Sequence, residues 1–370
     1  MSDDIFFNIP LDFGVSGQKM SRDEVIAFRK IYSKLSGKIE DKNSAICPIC
    51  DQPIKSFCNS HSLPRFCLKQ IADNGMVISP SFIFNCPIFK SETGVAKAGT
   101  FHLICERCDH EAFSEYENPQ NYFEQPSEKM LAQIAMKTSL RFIYKRILEI
   151  NMYQNLVENY PVPYLESALA TSRRDYNDFF KDFKYAKKAI ANIINSQYQI
   201  GYFRKLNYVI PSATQVEFIL ITDLNGCIIN NIYNISPSYN LQPLHLCLFP
   251  LETSSIVLLF FKKGHNGLRK FCKSIKELTE YEQLQLISYM GFLYCEDIYM
   301  NQNIQELLKK YDSAKKTIET SSISMGFTEN PEKVSDFQKI SCIKKEFDLN
   351  QYKTFPNLLS EEFKIIKAPV

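Results

Sequence analysis

Two C-x-x-C pairs, Cys47-Pro-Ile-Cys50 and Cys105-Glu-Arg-Cys108, constrain this chain more than any other feature. Seven of the twelve cysteines and three of the five histidines lie between Cys47 and Glu117. Four thiolates complete a closed tetrahedral zinc site, whereas one pair alone is a weak signal. The spacing is that of a treble-clef finger. Pro48 favours the turn of the first knuckle, Ile54–His61 alternates as a strand does, and Thr100–Ile104 is a second β-type run. From Cys105 the composition becomes helical, with acidic residues in the early turns where the helix dipole favours them. Zinc bound by Cys47, Cys50, Cys105 and Cys108 would clip a hairpin to a helix N-terminus. So small a module buries too little apolar area alone, and the metal would supply much of its folding free energy.

Between the knuckles stands Ser60-His61-Ser-Leu-Pro64-Arg65, and after the second knuckle come Asp109, His110, Ser114 and Glu117. This combination resembles the HNH (ββα-metal) endonucleases, in particular a bacterial subset with Ser-His-x-x-Pro, paired zinc knuckles, and a Ser and a Glu further along the helix. The resemblance covers about a fifth of the chain. Ser60 stands where the family has an Asp. The middle Asn is missing, with Thr100 nearest to it and His102 the alternative, and an insertion separates the knuckles between about Lys69 and Gly99.

The resemblance implies a metal-dependent endonuclease that cleaves DNA phosphodiester bonds, with double-stranded DNA as partner and a role in defence against foreign DNA. It implies His61 as general base, with Asp109 and His110 holding a catalytic Mg2+ or Mn2+ beside the structural Zn2+. A non-catalytic zinc module that binds DNA or a protein is the alternative. The Ser60 replacement favours it, because a hydroxyl cannot supply a carboxylate's charge.

At 370 residues the chain has room for a small module and a larger domain. The fold class expected is α+β: residues 1–125 as the zinc module, 126–320 as a helical and antiparallel-sheet domain, and 321–370 as a C-terminal extension. The net charge of +2 makes no overall case for nucleic acid. Locally, Arg173 to Lys188 interleaves basic and aromatic residues, either a phosphate-facing surface or, more simply, the solvated side of an amphipathic helix. The absence of a signal-peptide pattern and of any long apolar run predicts a cytoplasmic protein without membrane contact. Homo-oligomerisation is left open.

Along the chain, Ser21–Glu24 reads as a capping box opening a helix to Gly37, and Pro64 opens another that ends at Asn74-Gly75. Residues 76–89 read as extended and 91–100 as a flexible loop. A long helix starts near Ser127 and a second runs over about 164–197. Strands are expected at 202–210, 214–222, 227–233, 244–248 and 254–262, with Asp223-Leu-Asn-Gly226 as a hairpin turn. Helices return at 268–300 and 301–320. His245 and His265 read as structural residues.

Overall fold

The computed structural model describes residues 46–54, 57–78, 92–159, 163–191, 197–232, 234, 236, 239–295, 297–314, 316–317 and 347–366. The helix expected at 21–37, the extended run beyond Ile78, and most of the C-terminal extension, with Cys86 and Cys342, lie outside the described residues. In chain order the elements are β1 (Ser60–His61), α1 (Arg65–Ile71), β2 (Met76–Ile78), β3 (Glu92–Gly94), β4 (Thr100–Phe101), α2 (Glu106–Phe113), α3 (Glu128–Asn159) and α4 (Pro163–Ala191). There follow β5 (Tyr198–Leu206), β6 (Ser212–Ile219), β7 (Pro243–Pro250), β8 (Ser255–Lys262), α5 (Asn266–Glu277), α6 (Glu280–Tyr294), β9 (Ile298–Met300) and α7 (Gln305–Leu308). The protein is α+β, as its sequence predicts.

Two compact units divide these elements. Residues 46–64 and Ala96–Gln197 form the first, Arg65–Val95 and the chain from Tyr198 the second. The first unit therefore holds the cysteine pairs together with α3 and α4, beyond the residue-125 boundary expected from sequence. A polar row explains the grouping. Lys129, Gln133, Lys137 and Arg141 recur every fourth residue on α3 and so line one helix face. They bond respectively to Glu115 Oε1, the Tyr116 amide, the carboxylates of Asp109 and Glu117, and the Thr100 carbonyl.

The second unit is built on a seven-stranded antiparallel sheet of order β3-β2-β9-β6-β7-β8-β5. Among the described residues, the insertion between the knuckles thus contributes β2 and β3 to this sheet, and the loop expected at 91–100 has β3 near its start. β7 and β8 are buried on both faces, consistent with their near-continuous apolar sequences. Gly201, at a register shift in β5, is where α5 comes close; a Cβ there would collide with Cys272 Sγ.

Residues 227–232 do not form the expected strand, but pair only through an isolated bridge of Ile228 with Thr222. The turn before them exists, with Gly226 at φ +72° and Asp223 Oδ1 accepting from the Asn225 and Cys227 amides. Beyond it, the Ile229 amide donates to the Ile221 carbonyl, and the buried Asn230 side-chain amide donates to the carbonyls of Leu220 and Gln242. The helix expected over 268–300 is instead two helices. Thr279 forms a capping box with Glu282 at the start of α6, and β9 takes residues 298–300. The tail at 347–366 is irregular yet docked, with Leu349, Phe355, Leu358 and Leu359 buried and Gln285 Nε2 donating to the Phe355 carbonyl.

His245 sits inside this sheet, opposite Glu217 on β6 and stacked on Phe260 at 4.3 Å between centroids. Burial, reinforced by the charges of Lys262 and His265, pushes its imidazole down to about 3. Its folded pKa is depressed, so between about 6.5 and 3 the unfolded chain binds the extra proton and stability falls as pH is lowered. Urea unfolding at pH 7 and pH 5 should show a loss of about 2 kcal/mol from this residue. His245→Phe should flatten that slope; an unchanged slope would show that the histidine takes up its proton at the same pH in the folded and unfolded chains.

A candidate zinc finger and its lysine-bridged carboxylates

The four cysteines predicted to hold zinc do converge. The Sγ atoms of Cys47, Cys50, Cys105 and Cys108 lie within 4.8 Å of one another, and those of Cys50 and Cys105 are 3.9 Å apart. Tetrahedral zinc with bonds of about 2.3 Å needs sulfurs about 3.8 Å apart, so the donor set fits the ion. The first knuckle is a tight turn. The Asp51 amide donates to the Cys47 carbonyl and the Cys47 amide to the Gln52 carbonyl, with Asp51 in the left-handed region at φ 57°. The second knuckle is the start of α2, with Cys105 at the N-cap. Backbone hydrogen bonding from Gln52 brings the Cys50 thiol down to about 7, and burial pushes Cys47 and Cys108 up. Zinc would be held as a closed structural ion, its binding displacing thiol protons.

The hairpin expected beside the knuckles is short: β1 pairs antiparallel with β4, Ser60 opposite Phe101 and His61 opposite Thr100. The Cys58 amide extends the pairing to the Ile104 carbonyl. His61 is half-buried on β1. Ser60 is fully buried, and its hydroxyl donates to Asp109 Oδ1 at 2.6 Å. His102, considered for the middle position, instead meets Asn59 Oδ1 through Nε2 at 3.1 Å.

Asp109 is occupied on both oxygens. Lys137 Nζ donates to Oδ1, and the Cys58 thiol lies 3.4 Å from Oδ2. The same ammonium reaches Glu117 Oε1 at 3.1 Å and lies 4.1 Å from the Phe113 ring centroid. The Lys137 side chain is only 1 % exposed, against 21 % for Asp109 and 34 % for Glu117. Burial acts to raise the Asp109 carboxyl, but the ammonium beside it outweighs that and holds it below the usual carboxylate range. Glu117 goes the other way: burial, together with the Asp109 charge, pushes it up despite Lys137.

Sequence reasoning missed Lys137. Its signal was a single lysine three residues from Ile134 and from Leu140, inside an apolar stripe, where a charge needs a partner.

The catalytic divalent ion implied for Asp109 and His110 does not fit. Mg2+ needs several hard oxygen ligands in near-octahedral order, and Lys137 already takes the place of a cation between the two carboxylates. His110 is exposed. Among the described residues the four cysteines are the one group of three or more metal-ligating side chains, and neither Asp109, His110 nor His61 joins another.

No family model matches the chain, and no curated protein or solved structure matches it either. Among the described residues, no helix is long and apolar enough to cross a membrane.

Proposed function

We propose that this chain is a zinc-organised nucleic-acid-binding protein whose finger is a rigid, non-catalytic module. The observation that carries the reading is Lys137, whose buried ammonium bridges Asp109 and Glu117. Those carboxylates serve the packing of the finger on α3 rather than a reactive ion. The ligand class comes from the finger's resemblance to the HNH endonucleases, an expectation that rests on the knuckles, Ser60-His61 and Pro64.

A second reading, the HNH-like endonuclease, has one observation in its favour. The Ser60 hydrogen bond brings the strand bearing His61 against the helix bearing Asp109, the juxtaposition that hairpin-and-helix nucleases use. In that reading His61 takes the proton from water, and a divalent cation would have to displace Lys137.

Plasmid nicking separates the two. The zinc-loaded protein should shift nucleic acid on a native gel, yet leave supercoiled plasmid intact in millimolar Mg2+ or Mn2+. Metal-dependent nicking that His61→Ala abolishes would establish the endonuclease instead. A general base is worth roughly two to four orders of magnitude, well within such an assay's range.

A further inference from the structure

The strongest feature outside the finger is the surface of α4, which sorts its charges by side. At about 100° per residue, Arg173, Arg174, Asn177, Lys181, Lys184 and Lys188 fall within roughly 100° of arc. All six are exposed. The acids Asp175, Asp178 and Asp182 lie on the far side of that arc and are half-buried. Asp175 Oδ2 is 3.7 Å from Arg146 on α3. Lys181 shares its charge with Asp178 at 2.8 Å, while Arg173, Lys184 and Lys188 form no ion pair among the described residues. Pairing within one helix stabilises it only weakly, and the exposed charges of Arg173, Lys184 and Lys188 are left outside it.

Aromatic rings border the basic arc on its other edge. Tyr176 and Phe180 are half-buried and stack with planes 8° apart, centroids 6.0 Å. Lys184 Nζ lies over the Phe180 ring at 4.5 Å. Phe179 stacks on Phe142 of α3 at 4.8 Å, and the buried Phe183 lies beneath Phe180, with ring centroids 6.0 Å apart. A positive stripe beside half-buried rings is the chemistry that holds a single nucleic-acid strand, phosphates on the cations and bases against the ring edges that reach the surface. The duplex hides its base faces and would use only the cations. The stripe also runs toward the finger: Lys187 Nζ donates to the Pro48 carbonyl of the first knuckle and lies 3.3 Å from Asp51 Oδ2.

We infer that the basic face of α4, bordered by Tyr176 and Phe180, is a track for single-stranded nucleic acid. This rests on the nucleic-acid reading above and names the form of ligand and where it lies.

The test is fluorescence anisotropy with labelled oligothymidylate of roughly sixteen nucleotides and with a duplex of equal length, across a salt series. The intact zinc-loaded protein should bind the single strand more tightly. The triple substitution Arg173→Ala, Lys184→Ala, Lys188→Ala, confined to exposed side chains, should weaken that binding at least tenfold. It should also flatten the log–log salt slope by about 2, since three fewer phosphates are neutralised at about 0.7 each. Phe180→Tyr should keep binding, whereas Phe180→Ala should weaken it about fivefold or more. If nucleic acid binds and the triple substitution changes neither affinity nor slope, the track is wrong while the nucleic-acid reading stands. Duplex binding as tight as single-strand binding overturns the strand preference. No binding of either overturns both.

Discussion

Replacing Cys47 and Cys105 together by serine should empty the finger of zinc and unfold it. The two residues come from the two knuckles, so the change leaves one thiolate from each, too few for a closed tetrahedral site. What remains around them is meagre: a two-residue strand pair and a two-turn helix whose N-cap, Cys105, makes no side-chain cap bond. Zinc binding in such modules is worth about 10–16 kcal/mol, and that free energy is folding free energy. Metal analysis should fall from one zinc per chain to none. Hydrogen exchange should rise across 57–64 and 100–113, while the sheet of β5 to β8 keeps its protection. Full zinc retention in the double variant would overturn the site. Loss of protection throughout the sheet would show that the metal's influence extends beyond the finger.

Lys137→Met should destabilise the protein nearly as severely as a core truncation. Methionine matches the stem of the lysine, so the change removes the ammonium and leaves Asp109 and Glu117 facing each other without it. Breaking a buried ion pair from one side typically costs about 3–5 kcal/mol. Both carboxylates keep some water, so about 2–3 kcal/mol is expected here. The pH dependence carries a sign that packing loss alone would not. In the wild type, Asp109 has a folded pKa below its unfolded one, and its contribution is present above the usual carboxylate range and lost as pH falls through the lowered value. Without the ammonium, both carboxyls should be raised above their unfolded values. The variant should then be weakest at neutral pH and recover, relative to wild type, as pH falls toward 5. Adding Asp109→Asn and Glu117→Gln should restore most of the loss. A deficit independent of pH, unrelieved by the neutral amides, would mean that the lysine acts through its stem alone.

The cysteine cluster was legible in the sequence because a candidate metal site is a matter of residue type and short spacing. Each C-x-x-C forms locally, and four thiolates leave few other purposes. The long helices and buried strands were legible for a related reason: α3, α4 and β8 each carry an unbroken apolar pattern over their own length. Boundaries failed where side chains from elsewhere decided them. The apolar run over 268–300 holds two helices and a strand because Thr279 and Glu282 cap α6 and because β9 finds partners in β2 and β6. Residues 227–232 stop at one isolated bridge, Ile228 with Thr222, while the Asn230 side-chain amide bonds the Leu220 carbonyl.

The roles within the finger divide the same way. Sequence alone singled out Cys47, Cys50, Cys105 and Cys108 as a group able to hold a metal, and placed Ser60, His61 and Asp109 close to it along the chain. It could not determine the state of Asp109, because the partner that sets it, Lys137, is 28 residues away on another helix. Only the tertiary structure carries a charge into that space. Coulomb energy depends on separation and on the water excluded between charges, neither of which is written in chain order.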